Sequence, residues 1–144
     1  MIVGFSIKSI VAERKNIPKG RIDINSTPKI VSITKSKREF INKDTPLSIE
    51  FEFFTRYEPD IGIIKIMGNV FYISKKMNDI IKTWNKEKKI RKEVDMEIKN
   101  FLFRKCLSIG LNLSENMQLP PPLMFPRVVP KTFLNKKADL KYIG

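Results

Sequence analysis

Glu50 and Glu52 are the residues most open to a chemical reading. Two apart on a strand, they place both carboxylates on one face, separated by about 7 Å of strand rise, a spacing that paired acid and base work can use. Solvated charge on the open face of a half-buried strand gives the same pattern, and no second catalytic element accompanies the pair. The single cysteine, Cys106, lies among Phe103, Leu107 and Ile109. A small buried hydrophobe fits that setting better than a nucleophile without a base. Histidine is absent altogether, which removes the commonest metal ligand and the commonest general base at neutral pH. Gly62, Gly68 and Gly110 are scattered and form no phosphate-cradling run. The chain therefore reads as a binding protein and not an enzyme, with no cofactor and no metal expected.

Charge offers the next lead. Lys and Arg number 28 against 15 Asp and Glu, a net of +13. Such a surplus steers acidic partners toward the surface, whether nucleic acid, anionic lipid or an acidic protein face. A composition rich in lysine, isoleucine and asparagine also produces it without any partner. The cations cluster at Arg14, Lys15, Lys19 and Arg21, at Lys35, Lys37 and Arg38, and from Lys82 through Lys86, Lys88, Lys89, Arg91 and Lys92. Nucleic acid would use them as phosphate contacts. Lysine far outnumbers arginine, however, and no basic-aromatic strand motif of the RNA-recognition kind is present.

The elements that must position these residues follow from hydrophobic period. Phe5, Ile7, Ser9 and Val11 alternate with Ser6, Lys8, Ile10 and Ala12, giving a first strand. Asn16 to Gly20 breaks regular structure, and Asn25-Ser26-Thr27-Pro28 reads as a loop before a second strand from Lys29 to Lys35. A charged loop from Ser36 to Asp44 follows. Between Thr45 and Tyr57, Leu47, Ile49, Phe51 and Phe53 oppose Ser48, Glu50 and Glu52, which marks a half-buried third strand. Glu58-Pro59-Asp60 supplies a turn, and a fourth strand runs from Ile61 to Ile73 with apolar residues on both faces, so both require cover.

After Ser74, a candidate N-cap, the period changes. Met77, Ile80, Ile81 and Trp84 predict a helix from Lys75 to Lys86. A longer second helix starts near Ile90, with Val94, Ile98, Phe101, Leu102 and Ile109 along one stripe and Gly110 as its C-cap. Met96, Phe103 and Leu107 form a second stripe, for deeper core or a subunit interface. Leu111 to Pro130 fits neither helix nor strand, and Pro120, Pro121 and Pro122 impose extended polyproline geometry, as a strap over a sheet edge or part of a docking groove.

The fold class expected is α+β, a four-stranded antiparallel sheet followed by two helices and a Pro-rich extended C-terminal segment. One domain spans residues 1–130, and residues 131–144 form a basic tail. Hydrophobic residues at 42% and charged residues at 30% are a globular balance. One cysteine, a start without a basic leader, and no apolar run approaching the ~20 residues that cross a bilayer predict a soluble, cytoplasmic chain without membrane insertion.

This order of elements, with Leu107-Ser108-Ile109-Gly110 and then Leu119-Pro120-Pro121-Pro122-Leu123-Met124-Phe125-Pro126-Arg127-Val128, resembles the SecB-type chaperone family, in which a comparable Gly, Phe-Pro, Leu, Pro, Phe pattern follows the helix. The resemblance implies an ATP-independent holdase that binds unfolded or precursor polypeptides in apolar grooves, in export, toxin-antitoxin control or general anti-aggregation. It also implies a homotetramer built as a dimer of dimers. Phe51, Phe53, Phe71, Trp84, Leu119, Leu123, Met124 and Phe125 are the pool from which polypeptide-binding residues come. The inter-helix connection Glu87-Lys88-Lys89 is charged where bacterial members carry an apolar loop, and the surface is basic where they are acidic. The alternative function is a basic nucleic-acid-binding module using the lysines around Lys35 and Lys88.

Overall fold

The computed structural model describes residues 1–37 and 45–123. Four strands, β1 (Ile2–Arg14), β2 (Asp23–Lys35), β3 (Leu47–Glu58) and β4 (Gly62–Tyr72), precede two helices, α1 (Met77–Glu87) and α2 (Lys92–Asn116). The strands form one antiparallel sheet in the order β1-β4-β3-β2, so β3 and β4 are interior while β1 and β2 are its two edges. This is the α+β arrangement expected from the hydrophobic pattern.

Strict alternation decides which face is covered. Leu47, Ile49, Phe51, Phe53, Thr55 and Tyr57 of β3 are buried in step with Ile64, Ile66 and Val70 of β4. Against this face lie Ile80 and Trp84 of α1 and a ridge of α2 made by Ile98, Leu102, Cys106, Gly110 and Ser114 at four-residue intervals. Fully burying one side chain of this size stabilises the fold by about 1.5–3 kcal/mol, so the helix-covered face carries the core. Two buried hydroxyls are satisfied, Thr55 by a 2.8 Å hydrogen bond shared with Ser26 and Ser114 by donating to the Leu111 carbonyl at 2.7 Å, while the buried Tyr57 hydroxyl has no hydrogen-bond partner among the described residues.

On the opposite face of the sheet, where the hydrophobic pattern of β4 also asks for cover, no helix of the described residues packs. Ile63, Lys65, Met67 and Asn69 stay half exposed there, although Phe71 is almost fully buried. Polar pairs knit the surface: Asn69 donates to Ser48 at 2.9 Å, Ser32 to Glu50 at 3.1 Å, and Lys65 lies 3.7 Å from Glu52.

Three local expectations also change. Residues Asn25 to Pro28 belong to β2, where Ser26 finds Thr55 as a partner and Pro28 is tolerated because the strand is an edge. Ser74 does not cap α1: Lys76 is the N-cap residue, and Ser74 accepts a 3.2 Å bond from the Lys76 N–H in the preceding turn. Gly110 does not end α2, which runs six residues further to Asn116. A methyl group added at Gly110 would make an ordinary van der Waals contact with the ring of Pro122 at 3.6 Å, so the space there does not demand glycine. The helix ends instead at a left-handed Gln118 (φ 55°), after which Leu119 donates to the Ser114 carbonyl at 2.9 Å and buries its side chain beside Gly62. The charged loop beyond Lys37 and the segment from Met124 through the basic tail lie outside the described residues.

Candidate functional site

The chemical candidates are placed first. Glu50 and Glu52 do share the open face, but each is engaged, one by the Ser32 hydroxyl and the other by Lys65. Cys106 is fully buried beneath α2, and desolvation pushes its thiol from the ordinary 9.0 up to about 12, so it stays protonated and unreactive in the fold at neutral pH. Among the described residues no group of three His, Cys, Asp or Glu side chains is arranged to hold a metal ion.

The aromatic pool falls mainly in the core. Phe51 has no exposed surface and stacks on Phe5 at 5.6 Å between ring centroids, and Phe5 in turn meets the edge of Phe101 at 5.4 Å. Phe53 packs edge-to-face on Phe103 at 5.5 Å. Trp84 and Phe71 are each 9% exposed, and Leu119 is buried. Leu123 is half-buried, while Met124 and Phe125 lie outside the described residues. Period alone marks a residue as apolar and inward: Phe51, Phe53, Trp84 and Leu119 belong to the core, while Phe71 is buried on the other face of the sheet.

Exposed apolar surface gathers elsewhere. On β1, Ile7, Ile10 and Val11 are 38%, 44% and 49% exposed. The reason is local geometry. A register shift between Ile7 and Ser9 marks a bulge opposite Gly68, and it brings Ile7 (opposite Gly68) and Ile10 (opposite Ile66) onto the same, helix-side face although they are an odd number of positions apart. Gly68 is obligatory at this point, because an added methyl group would collide with the Ser6 carbonyl oxygen. α2 packs over β4, β3 and β2 and reaches β1 through the Phe101–Phe5 contact, so no helix of the described residues covers the outer part of β1's helix side. The sequence reading put Ile7 and Ile10 on opposite faces. The interruption Lys8-Ser9 between them, with a glycine waiting on the neighbouring strand, was the signal for the bulge.

β1 pairs with β4 on one side, and its other side faces away from the sheet along 13 residues. At roughly 3.4 Å per residue that is an edge of about 44 Å whose outward N–H and C=O groups can accept another extended chain. β2, the other edge, is guarded: it contains Pro28, is bulged between Ile30 and Ser32, carries exposed Lys29 and Lys35, and has α1 beside it.

Beside β2 lies a cleft of ≈ 410 Å³ lined by Lys29, Trp84, Lys88, Lys89, Asp95 and Lys99. Lys88 sits over the Trp84 ring at 5.5 Å, and Lys99 is paired with Asp95 at 3.1 Å. The cluster lies at the C-terminal end of α1, where cations complement the helix dipole. No helix among the described residues is long and apolar enough to cross a membrane.

No family model matches the chain, and no curated protein or solved structure is significantly similar to it.

Proposed function

We propose that this protein is an ATP-independent holdase that captures unfolded or precursor polypeptides as extended segments along β1. The observation that carries the reading is the free edge itself, with Ile7, Ile10 and Val11 exposed beside an unpaired backbone. Edge addition suits a binder of many sequences, since main-chain hydrogen bonds supply affinity without reading side chains and apolar contacts add to it tolerantly. The buried aromatics then act as the support that holds the edge straight, and the groove lies outside them. The tetramer implied by the SecB resemblance would assemble through the flank of α2 where Met96 is 52% exposed, leaving β1 for clients. Sedimentation velocity of the full chain measures that assembly.

The test is equilibrium binding of a permanently unfolded, neutral, fluorescent polypeptide, titrated across roughly the 50 to 200 mM salt span over which phosphate-driven binding loses orders of magnitude. Binding that changes little with salt, and falls about tenfold in an Ile7→Thr/Ile10→Thr variant with unchanged far-UV dichroism, supports the edge. Absence of binding removes this reading. It would leave the basic module, for which the lysines around the Trp84 cleft are the specific observation, and whose affinity for single-stranded nucleic acid should drop steeply over the same salt range.

A further inference from the structure

We infer that α1 is a docking surface for duplex DNA, an interaction independent of the capture edge because α1 lies beside β2, at the far side of the sheet from β1. Concentrated charge sets this surface apart. Of the 28 cations, eight fall between residues 75 and 92, against two carboxylates, Asp79 and Glu87. All eight are exposed, and none enters an ion pair among the described residues. Ile80 and Trp84, one turn apart, fix the buried side of α1, so Asn78, Lys82, Asn85 and Lys86 form its outward ridge at helical spacing. Lys75 and Lys76 precede the helix, and Lys88, Lys89, Arg91 and Lys92 follow it. Eleven helical residues span about 16 Å, which holds the two end clusters apart. Asp79 sits in the first turn, where a carboxylate complements the helix dipole, and Asp95, beyond the cluster, is held by Lys99 at 3.1 Å.

Phosphates repeated along a backbone are the chemistry that meets this array. Seven of the eight cations are lysines, point charges that take a phosphate in any orientation, whereas docking on the carboxylates of a protein favours the arginine fork. A single strand is the poorer occupant, since its bases need exposed rings to stack on. Trp84, the one aromatic residue in this stretch, is 9% exposed and lies under Lys88. An anionic bilayer holds an amphipathic helix by its apolar face, and that face of α1 is already packed on the sheet. None of the large apolar side chains exposed among the described residues falls between residues 75 and 92. The major groove of B-form DNA, about 12 Å wide, admits a helix of about 10–12 Å diameter. The ridge of Lys82 and Lys86 thus enters the groove, while the clusters at the two ends of α1 reach phosphates of the strands that border it. The major groove of an RNA duplex is too narrow for the same seating.

The experiment uses the full chain and a fluorescent DNA duplex of about 20 base pairs, with one of its single strands, an RNA duplex of the same sequence and phosphatidylserine vesicles as competitors. With about four phosphates engaged, duplex affinity should fall about a hundredfold between roughly 50 and 200 mM salt. A Lys82→Gln/Lys86→Gln variant keeps good helix formers on an exposed face, so its far-UV dichroism should match the parent. It should bind the duplex about tenfold more weakly at roughly 50 mM salt, with about half the salt dependence. A Lys8→Gln/Lys105→Gln variant removes the same charge near β1 and should bind as the parent does. Equal loss in both variants overturns the site, since the attraction then belongs to the +13 chain as a whole. Absence of duplex binding, or binding unchanged in the Lys82→Gln/Lys86→Gln variant, overturns it too. A single strand that binds more tightly than the duplex overturns it in favour of the Trp84 cleft. An RNA duplex that competes equally overturns DNA as the partner, and vesicles that compete better than either duplex replace it with an anionic membrane.

Discussion

The two edges of this sheet are of equal length, 13 residues each, and differ in how they are protected. β2 carries Pro28, the lysines 29 and 35, a bulge at its middle and a helix alongside, which are the devices by which proteins stop an edge from recruiting other strands. β1 is bulged as well, yet it has no proline, one lysine among its first twelve residues, and three exposed aliphatic side chains. A chain that guards one edge and leaves the other apolar is under two separate demands. Stability alone would favour guarding both.

The contrast can be broken most directly at Gly68. Replacement by alanine drives a methyl group into the Ser6 carbonyl and should dislodge β1 at its bulge, costing about 3 kcal/mol. Urea unfolding measures the loss, and an unchanged midpoint would mean that β1 is not seated as described. Next in size is Pro28→Val, which removes a guard from β2 and should create a concentration-dependent species in sedimentation velocity; a variant that stays like the parent would show that the other devices suffice.

The smallest expected effect separates the edge from the buried aromatics. A client bound along β1 leaves α2 in place, so Cys106 should resist iodoacetamide at pH 8 whether or not the client is present. A client that reached Phe51 and Phe53 would have to lift α2 and expose the thiol, and alkylation would then accelerate. The pH dependence has a definite sign. Tyr57 and Cys106 are held up to about 12 by burial, from ordinary values of 10.0 and 9.0, so the unfolded chain releases these protons first. Stability contributed by the protonated groups is therefore full below about pH 9 and declines as pH rises toward 12.

The parts of the fold legible in the sequence were those where one physical pattern acts alone. β3 alternates cleanly because one face is core and the other open, and α1 shows its stripe because it lies on the surface of the sheet. The first half of β2 was hidden because Ser26 and Pro28 are turn residues by local preference, and only the Thr55 partner and the edge position make them strand. Gly110 misled for a similar reason: local preference marks a helix end, while burial of the ridge it shares with Cys106 and Ser114 carries the helix on past it. As for the site, aromatic content pointed to the interior, where large rings contribute most to stability. Ile7 and Ile10 became one surface only through a bulge.

That bulge also governs time. Register along β1 is continuous from Gly4 to Ile7 and again from Ser9 to Arg14, with a break between. A polypeptide laid on this edge would meet a run of four residues and a run of six instead of one ladder of thirteen, and each short run can peel away without the other. If clients do bind there, dissociation would proceed in two low steps and residence would be brief.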